Sequence, residues 1–391
     1  MVGLCGCTTF DNFKAAFFDK KTEDKSIIRI GVLEPVTGGE SVAAEDEIRG
    51  IQLANEVYPN VNGKIVELVF ADNKSDIYAT QTAVETLIAK EPVAILGSYG
   101  SVYSLAAANY IEEAKIPTFA ATNTNPLVTR NYNYYFRVCY VDANQGDLLA
   151  VYVLEDRKEK TAGVLLPASD DAAAAMATTF IDRMKAETGD ADAVPVYEKY
   201  DVGDTDFTKQ LRTIKRSGVK SVLLPGNIDD AINIINQAAQ MGLDVQFLGE
   251  TEWAGEDFEK ALNANVVSEN IAFVQFFAAD GKAATTTVSK QRQQFLDAYF
   301  EKHGRDGGDP SDAVALGYDS YCVALDAIDK APDDATGEEI IDVLNAAGYS
   351  FDGATGTIHF GITGDPVKTA YITTWNEGKM ATVYTIDPIK K

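Results

Sequence analysis

Apolar residues recur along this chain in two different periods, and the points where one period gives way to the other mark out its elements. Between residues 93 and 129, the apolar runs VAIL and IPTFAA bracket a segment in which Leu105, Ile111 and Ala114 keep helical spacing. The stretch reads as strand, Ser/Gly loop, helix, strand and Thr/Asn-rich loop. In an open parallel sheet both loops fall at the edge outside the carboxyl ends of the strands, where ligands bind. Ser101 stands at the helix start as an expected N-cap, and a helix start presents free amides and partial positive charge to an anion. The stretch therefore predicts an anion pocket for a small molecule. Two capped helix starts with no ligand would produce the same pattern, because Ser and Thr are common caps.

The same rhythm runs through the rest of the chain. Strand IIRIGVLEP leads through Thr37-Gly38-Gly39 into a helix with Ile48, Ile51, Ala54 and Val57 at three-residue spacing, and strand KIVELVFAD leads into a helix with Ile77, Val84, Leu87 and Ile88. After residue 142 a second series begins: a helix near Leu148 to Leu154, strand TAGVLLP, an Ala-rich helix from Asp171, strand AVPVYEKY, and a helix expected to be capped at Asp204-Thr205. Strand SVLLPGN, helix DDAINIINQAAQ and strands VQFLGE and IAFVQFF complete it. Alternation of this kind predicts parallel sheets wrapped by helices, in two α/β lobes. Residues 284–347 read instead as three helices around Phe295, Val323 and Ile341, followed by strands GTIHF, TAYITTW and ATVYTI separated by turns. Helices without strands between them must cover an existing sheet. The chain is thus expected to return to the first lobe and to finish on the second.

Length and charge narrow the reading. A chain of 391 residues suits two lobes, and the formal charge of −25 argues against sequence-independent nucleic-acid binding. No run of about 18 apolar residues is present to span a membrane. Four cysteines are too few for a disulfide scaffold; Cys139 and Cys322 lie in apolar segments and read as buried thiols, with a bridge between them left open. Cys5 and Cys7 lie in Met-Val-Gly-Leu-Cys-Gly-Cys, which looks like the end of a lipoprotein signal with Cys7 as the acylated residue. Residues 8–26 read as a tether.

The sequence offers no catalytic signature. It contains no Walker phosphate loop, G-x-S-x-G elbow or H-E-x-x-H helix, and His303 and His359 are isolated, so neither a cofactor nor a metal is expected. Glu250-Thr251-Glu252-Trp253 follows strand VQFLG and is placed to receive a ligand amine, or to form a solvated loop anchored by its Trp. Asn227, after SVLLP, is similarly placed and reads equally as a strand-to-helix turn.

Taken in order, Gly97-Ser98-Tyr99-Gly100-Ser101, Thr122-Asn123-Thr124-Asn125-Pro126, Asp142-Ala143-Asn144-Gln145-Gly146, Gly242-Leu243 and FDGATGTIHFGITGD resemble the leucine/isoleucine/valine-binding proteins of bacterial ABC transporters. The resemblance covers about residues 27–386. It implies the type I periplasmic binding protein fold, two Rossmann-like lobes with parallel-sheet cores joined by a three-crossover hinge that closes over a ligand. The implied lobes are 27–142 plus 278–350 and 143–277 plus 351–391, after a lipoprotein-like start and tether at 1–26. By resemblance Ser101 and Thr124 meet the ligand carboxylate, backbone around Thr122 completes that site, and Tyr99 joins it. The family's ammonium-binding acid aligns with Thr251, flanked by Glu250 and Glu252. Ala43 and the run after Asp171 stand where aromatic contacts are usual.

The resemblance further implies a monomeric, extracytoplasmic, lipid-anchored solute-binding protein that delivers a small carboxylate, most simply an aliphatic amino acid, to an ABC permease. A ligand-sensing receptor domain of the same fold, a binder of a carboxylate without an amine, and a two-lobed enzyme are the alternatives.

Overall fold

Strands buried on both faces need near-continuous apolar runs, and the chain supplies them where its two sheets form. The computed structural model describes residues 26–279, 290–305, 308–361 and 363–387; Cys5, Cys7 and the tether up to residue 25 lie outside them. The first lobe opens with β1 (Ile27–Glu34), α1 (Ser41–Val57), β2 (Asn60–Val61), β3 (Lys64–Asp72), α2 (Ile77–Ile88) and β4 (Ala94–Gly97). It continues with α3 (Ser101–Ala114), β5 (Thr118–Ala120), α4 (Leu127–Arg130) and β6 (Tyr135–Arg137). These strands form one sheet in the order β2-β3-β1-β4-β5-β6, parallel except for β2. The strand order reverses between β1 and β4, so a crevice opens there beyond their carboxyl ends.

The second series is α5 (Asp142–Glu155), β7 (Gly163–Pro167), α6 (Asp171–Thr188), β8 (Val196–Tyr200), α7 (Thr208–Ser217), β9 (Ser221–Leu223), α8 (Ile228–Gln240), β10 (Gln246–Gly249), a 3-10 turn (Thr251–Ala254), α9 (Glu256–Ala261) and β11 (Ile271–Gln275). Three helices follow, α10 (Lys290–His303), α11 (Asp312–Lys330) and α12 (Gly337–Asn345), then β12 (Phe351–Gly353), β13 (Gly356–Phe360), β14 (Pro366–Lys368), β15 (Ala370–Asn376) and β16 (Lys379–Ile386). The second sheet runs β16-β15-β11-β10-β9-β7-β8, with β15 antiparallel to both of its neighbours and the other strands all running one way.

The late helix α11 packs on α1 of the first lobe. A Cβ at Gly50 of α1 would come within 2.0 Å of the Val314 carbonyl oxygen, and one at Gly317 of α11 within 2.3 Å of the Glu47 carbonyl oxygen. Each helix thus approaches the other's backbone through a glycine. The small sheet β12-β13-β14 departs from the expectation that everything after residue 351 joins the second lobe. It docks on first-lobe elements: Asp319 of α11 accepts from the amides of Ala354 and Thr355 at 2.7 and 2.8 Å, and Arg137 of β6 pairs with Asp365 at 2.7 Å. Aromatic packing of Phe360 on Phe136, centroids 5.4 Å apart, adds to the contact.

Three chain segments cross between the lobes, after β6, after β11 and between β14 and β15. Lys368, buried at the third, donates to the Val138 carbonyl at 2.9 Å and to Thr355 Oγ1 at 2.7 Å, and its ammonium lies 6.0 and 5.8 Å from the Tyr140 and Phe276 ring centroids. One side chain therefore touches all three crossovers. Cys139 and Cys322 are buried free thiols, which closes the question of a bridge between them.

Candidate functional site

Loops at the carboxyl edges of both sheets carry the polar residues that the sequence singled out. In the first lobe the helix start differs from expectation in one detail. Gly100, with φ +83, is the N-cap of α3, and Ser101 is its first helical residue. A side chain at residue 100 would be strained in this conformation and would press on the Tyr103 ring at 2.9 Å. Ser101 is consequently not spent on capping; among the described residues its hydroxyl accepts a long 3.4 Å bond from the Asn125 amide and no other. The first amides of α3 have no partner within the helix, which makes this end electropositive.

Beneath Ser101 a buried polar network fixes the two loops against each other. Asn73 Nδ2 donates to Ser98 Oγ at 2.7 Å, Ser104 Oγ donates to Asn123 Oδ1 at 2.6 Å, and Asn123 Nδ2 donates to the Ser98 carbonyl at 3.0 Å. The buried Arg137 guanidinium donates to the Asn123 carbonyl and to Thr129 Oγ1. Networks satisfied in this way hold a loop in one conformation. Tyr99 and Thr122 are tied down by acids: the Tyr99 amide donates to Glu34 Oε2 and the Thr122 hydroxyl to Glu47 Oε2, both at 2.7 Å. Thr124, half-buried, accepts the Asp142 amide on its carbonyl at 3.4 Å, where the chain crosses to the second lobe.

The second lobe presents carboxylates. Glu250 Oε1 accepts from the Gly226 amide at 2.9 Å, and the Thr251 amide donates to Gln145 Oε1 at 3.1 Å. Burial first, then the charge of Glu252, pushes the Glu250 carboxyl up to about 8. Glu252 remains open to the crevice, yet the protein around it strips part of its hydration, and with Asp142 nearby its pKa is raised. Asp142 is raised by desolvation, with Asp170 adding and Thr124, Arg137 and Gln145 opposing. Asp142, Asp170, Glu250 and Glu252 therefore form one electrostatically coupled acidic face. Glu252 also reaches across to the first lobe, where it is among the charges that raise the Tyr99 phenol.

Asn227 has a local task. It caps α8, accepting the Asp230 amide at 2.9 Å while its Nδ2 donates to Asp230 Oδ2 at 2.6 Å. Asp170 caps α6 in the same manner through the Ala173 amide. The sequence reading missed Glu34, Glu47, Asn73, Asn123, Asp142 and Asp170 as site residues. Their positions at strand ends and helix starts were legible, but acidic residues are so frequent here that nothing distinguished these. A cavity of about 190 Å³ lined by Arg29, Lys64 and Asp334 lies at the opposite edge of the first sheet, where β1 and β3 begin. Among the described residues no group of three or more His, Cys, Asp or Glu is arranged to hold a metal.

The arrangement suits a zwitterion: hydroxyls and a helix start on one lobe, acids on the other. Residues 27–379 match the family of periplasmic binding proteins. The chain is 26% identical, over 344 residues, to a leucine-, isoleucine-, valine-, threonine- and alanine-binding protein of Pseudomonas aeruginosa, covering 86% of this chain and 87% of the relative. Among solved structures it is similar to a leucine-binding protein from Thermotoga maritima, with 30% identity and a TM-score of 0.68 over 92% of this chain and 99% of that one. It is also similar to a branched-chain amino acid substrate-binding protein of Streptococcus pneumoniae in complex with isoleucine, with 29% identity and a TM-score of 0.69 over 93% and 100%.

Proposed function

The chain belongs to the periplasmic binding protein family, and from that premise we propose that it is the extracytoplasmic solute-binding component of an ABC importer. Its ligand is an aliphatic, most simply branched-chain, amino acid, which it delivers to a membrane permease. The observation that carries this reading is the opposition of the two sheet edges. Ser101 and the start of α3 face a ligand carboxylate, with Thr124 and backbone near Tyr99 and Thr122 completing that half. The Glu250-Thr251-Glu252 turn supplies the acid for the ammonium, and Asn227 holds the neighbouring loop. Relatives at 26–30% identity carry amino-acid-binding names, which supports the choice of ligand class.

A second reading has one observation in its favour. With its pKa near 8, Glu250 is mostly protonated at neutral pH, and a neutral acid does not attract an ammonium. A carboxylate ligand without an amine would suit that state. The lobes divide at the crossovers near residues 142 and 278 and between β14 and β15, and closure about them traps the ligand. Cys7 as an acylated residue would hold the protein at the membrane surface; among the described residues no helix is long and apolar enough to cross one.

Native mass spectrometry of the protein extracted from membranes tests these assignments together. An amino acid released one-to-one on denaturation supports the first reading, and a carboxylate without an amine supports the second. An acyl mass increment on the peptide containing Cys7 supports the anchor; an unmodified peptide removes it.

A further inference from the structure

Two fully buried carboxyls lie under the first-lobe half of the site, and among the described residues neither forms an ion pair with a cation. Glu34 ends β1 at the point where the strand order reverses, and Glu47 lies in the second turn of α1; both are 0% exposed. Each uses one oxygen to hold a ligand loop, Glu34 through the Tyr99 amide and Glu47 through the Thr122 hydroxyl. Glu34 Oε1 and Glu47 Oε1 meet no full hydrogen bond among the described residues, although the Ala121 amide lies close enough to the Glu47 carboxyl to favour its charge, and the two carboxyls are near enough to act on each other. The space beside Glu34 Oε1 is closed by backbone, since a Cβ at Gly97 would lie 2.4 Å from it.

Two neighbouring carboxylates, both fully buried, cannot both be ionised at tolerable cost. A single proton held between the two carboxyl groups relieves that cost. We infer that Glu34 and Glu47 share one proton and thereby position Tyr99 and Thr122, so that the ligand loops keep their spacing only while that proton is present. The link to ligand rests on the amino-acid site proposed above; the shared proton itself does not.

The other titratable groups around the pair do not supply the missing charge. Tyr99 in the β4–α3 loop, Tyr135 on β6 and Cys139 at the first crossover all have raised pKa values through burial, the Cys139 thiol up to about 12, and remain neutral. Glu40 at the start of α1 and Glu252 from the second lobe add negative charge near Tyr99. Gly317 of α11 packs on the Glu47 backbone and brings no charge. Glu34 is raised well above its ordinary value by desolvation first and by Glu47 second. The sign follows: its contribution to stability is fully present below the unfolded pKa and is lost as pH rises through the folded one. Losing the proton leaves like charges side by side and pushes Tyr99 and Thr122 apart.

Glu34→Gln and Glu47→Gln test this, because a glutamine amide donates permanently what the proton donates reversibly. Thermal midpoints of the ligand-free wild type and both variants are measured from pH 6 to pH 9, with leucine titrations at the two ends. The expected result is that each variant loses part of the wild-type decline in midpoint with rising pH and exceeds wild type at pH 9. Leucine affinity should weaken about tenfold more between pH 6 and 9 in wild type than in Glu34→Gln. Variant midpoints running parallel to wild type at every pH would overturn the shared proton. Altered midpoint slopes with an unaltered pH dependence of leucine affinity would overturn its positioning of the loops. If leucine binds to none of the three proteins, the ligand assignment fails, and the midpoint profiles still decide the proton.

Discussion

Glu250 shows how one buried carboxyl links ligand to proton. Its pKa is raised from 4.5 to about 8 by burial and by Glu252, so the native state holds a proton that the unfolded chain releases. The corresponding stability is complete below about pH 4.5 and declines as the pH rises to about 8. A ligand ammonium placed beside Glu250 reverses the balance and lowers its pKa. Binding of leucine at pH 7 is therefore expected to release protons, read as a heat of binding that changes between buffers of different ionisation enthalpy. Glu250→Gln should release fewer protons on binding leucine than wild type; equal proton release by the two proteins would take Glu250 out of contact with the amine. The placing of the loops that carry Ser101 and Thr122 at a strand's carboxyl end was legible in the sequence, because apolar strand runs precede them. Glu34 and Glu47 were not, because 59 acidic residues hide the two whose surroundings are dry. Burial is a property of the assembled fold, and no local pattern announces it.

At the scale of elements, apolar periodicity located the long strands and helices well, and it failed where backbone chemistry decides. The helix expected to be capped at Asp204-Thr205 begins instead at Thr208, with Phe207 as N-cap and Asp206 accepting the Thr208 amide at 2.9 Å. The three-residue strands β12 and β14 and the two-residue β2 are too short to show any period, and they form as hairpin arms against the strands next to them in sequence, β13 and β3. The close packing of α1 on α11 was equally invisible, since Gly50 and Gly317 are 267 positions apart and each reads alone as a weak helix residue. Gly317→Ala is expected to lower stability by about 1–3 kcal/mol through overpacking against the Glu47 carbonyl. Denaturant unfolding measures this directly. A change below a few tenths of a kcal/mol would mean that α1 and α11 can separate without loss.

At the scale of the whole molecule, the three crossovers and the two facing sheet edges together make a hinge over a cleft. The hinge has its own polar knot: besides Lys368, Asp312 accepts from the Phe276 and Phe277 amides at 2.8 and 3.0 Å, and Tyr140 stacks on Phe276 with centroids 5.6 Å apart. A hinge held at its centre leaves the lobes free to move as bodies, and ligand contacts made on both edges favour the closed state. We propose that this cleft captures an amino acid by its carboxylate at Ser101. Calorimetric titration of leucine into wild type and into Ser101→Ala tests it most directly. We expect one-to-one binding to wild type and a loss of about 1–3 kcal/mol in the variant, the range for a hydrogen bond to a desolvated charged group. Equal affinities in the two proteins would place the ligand carboxylate away from Ser101.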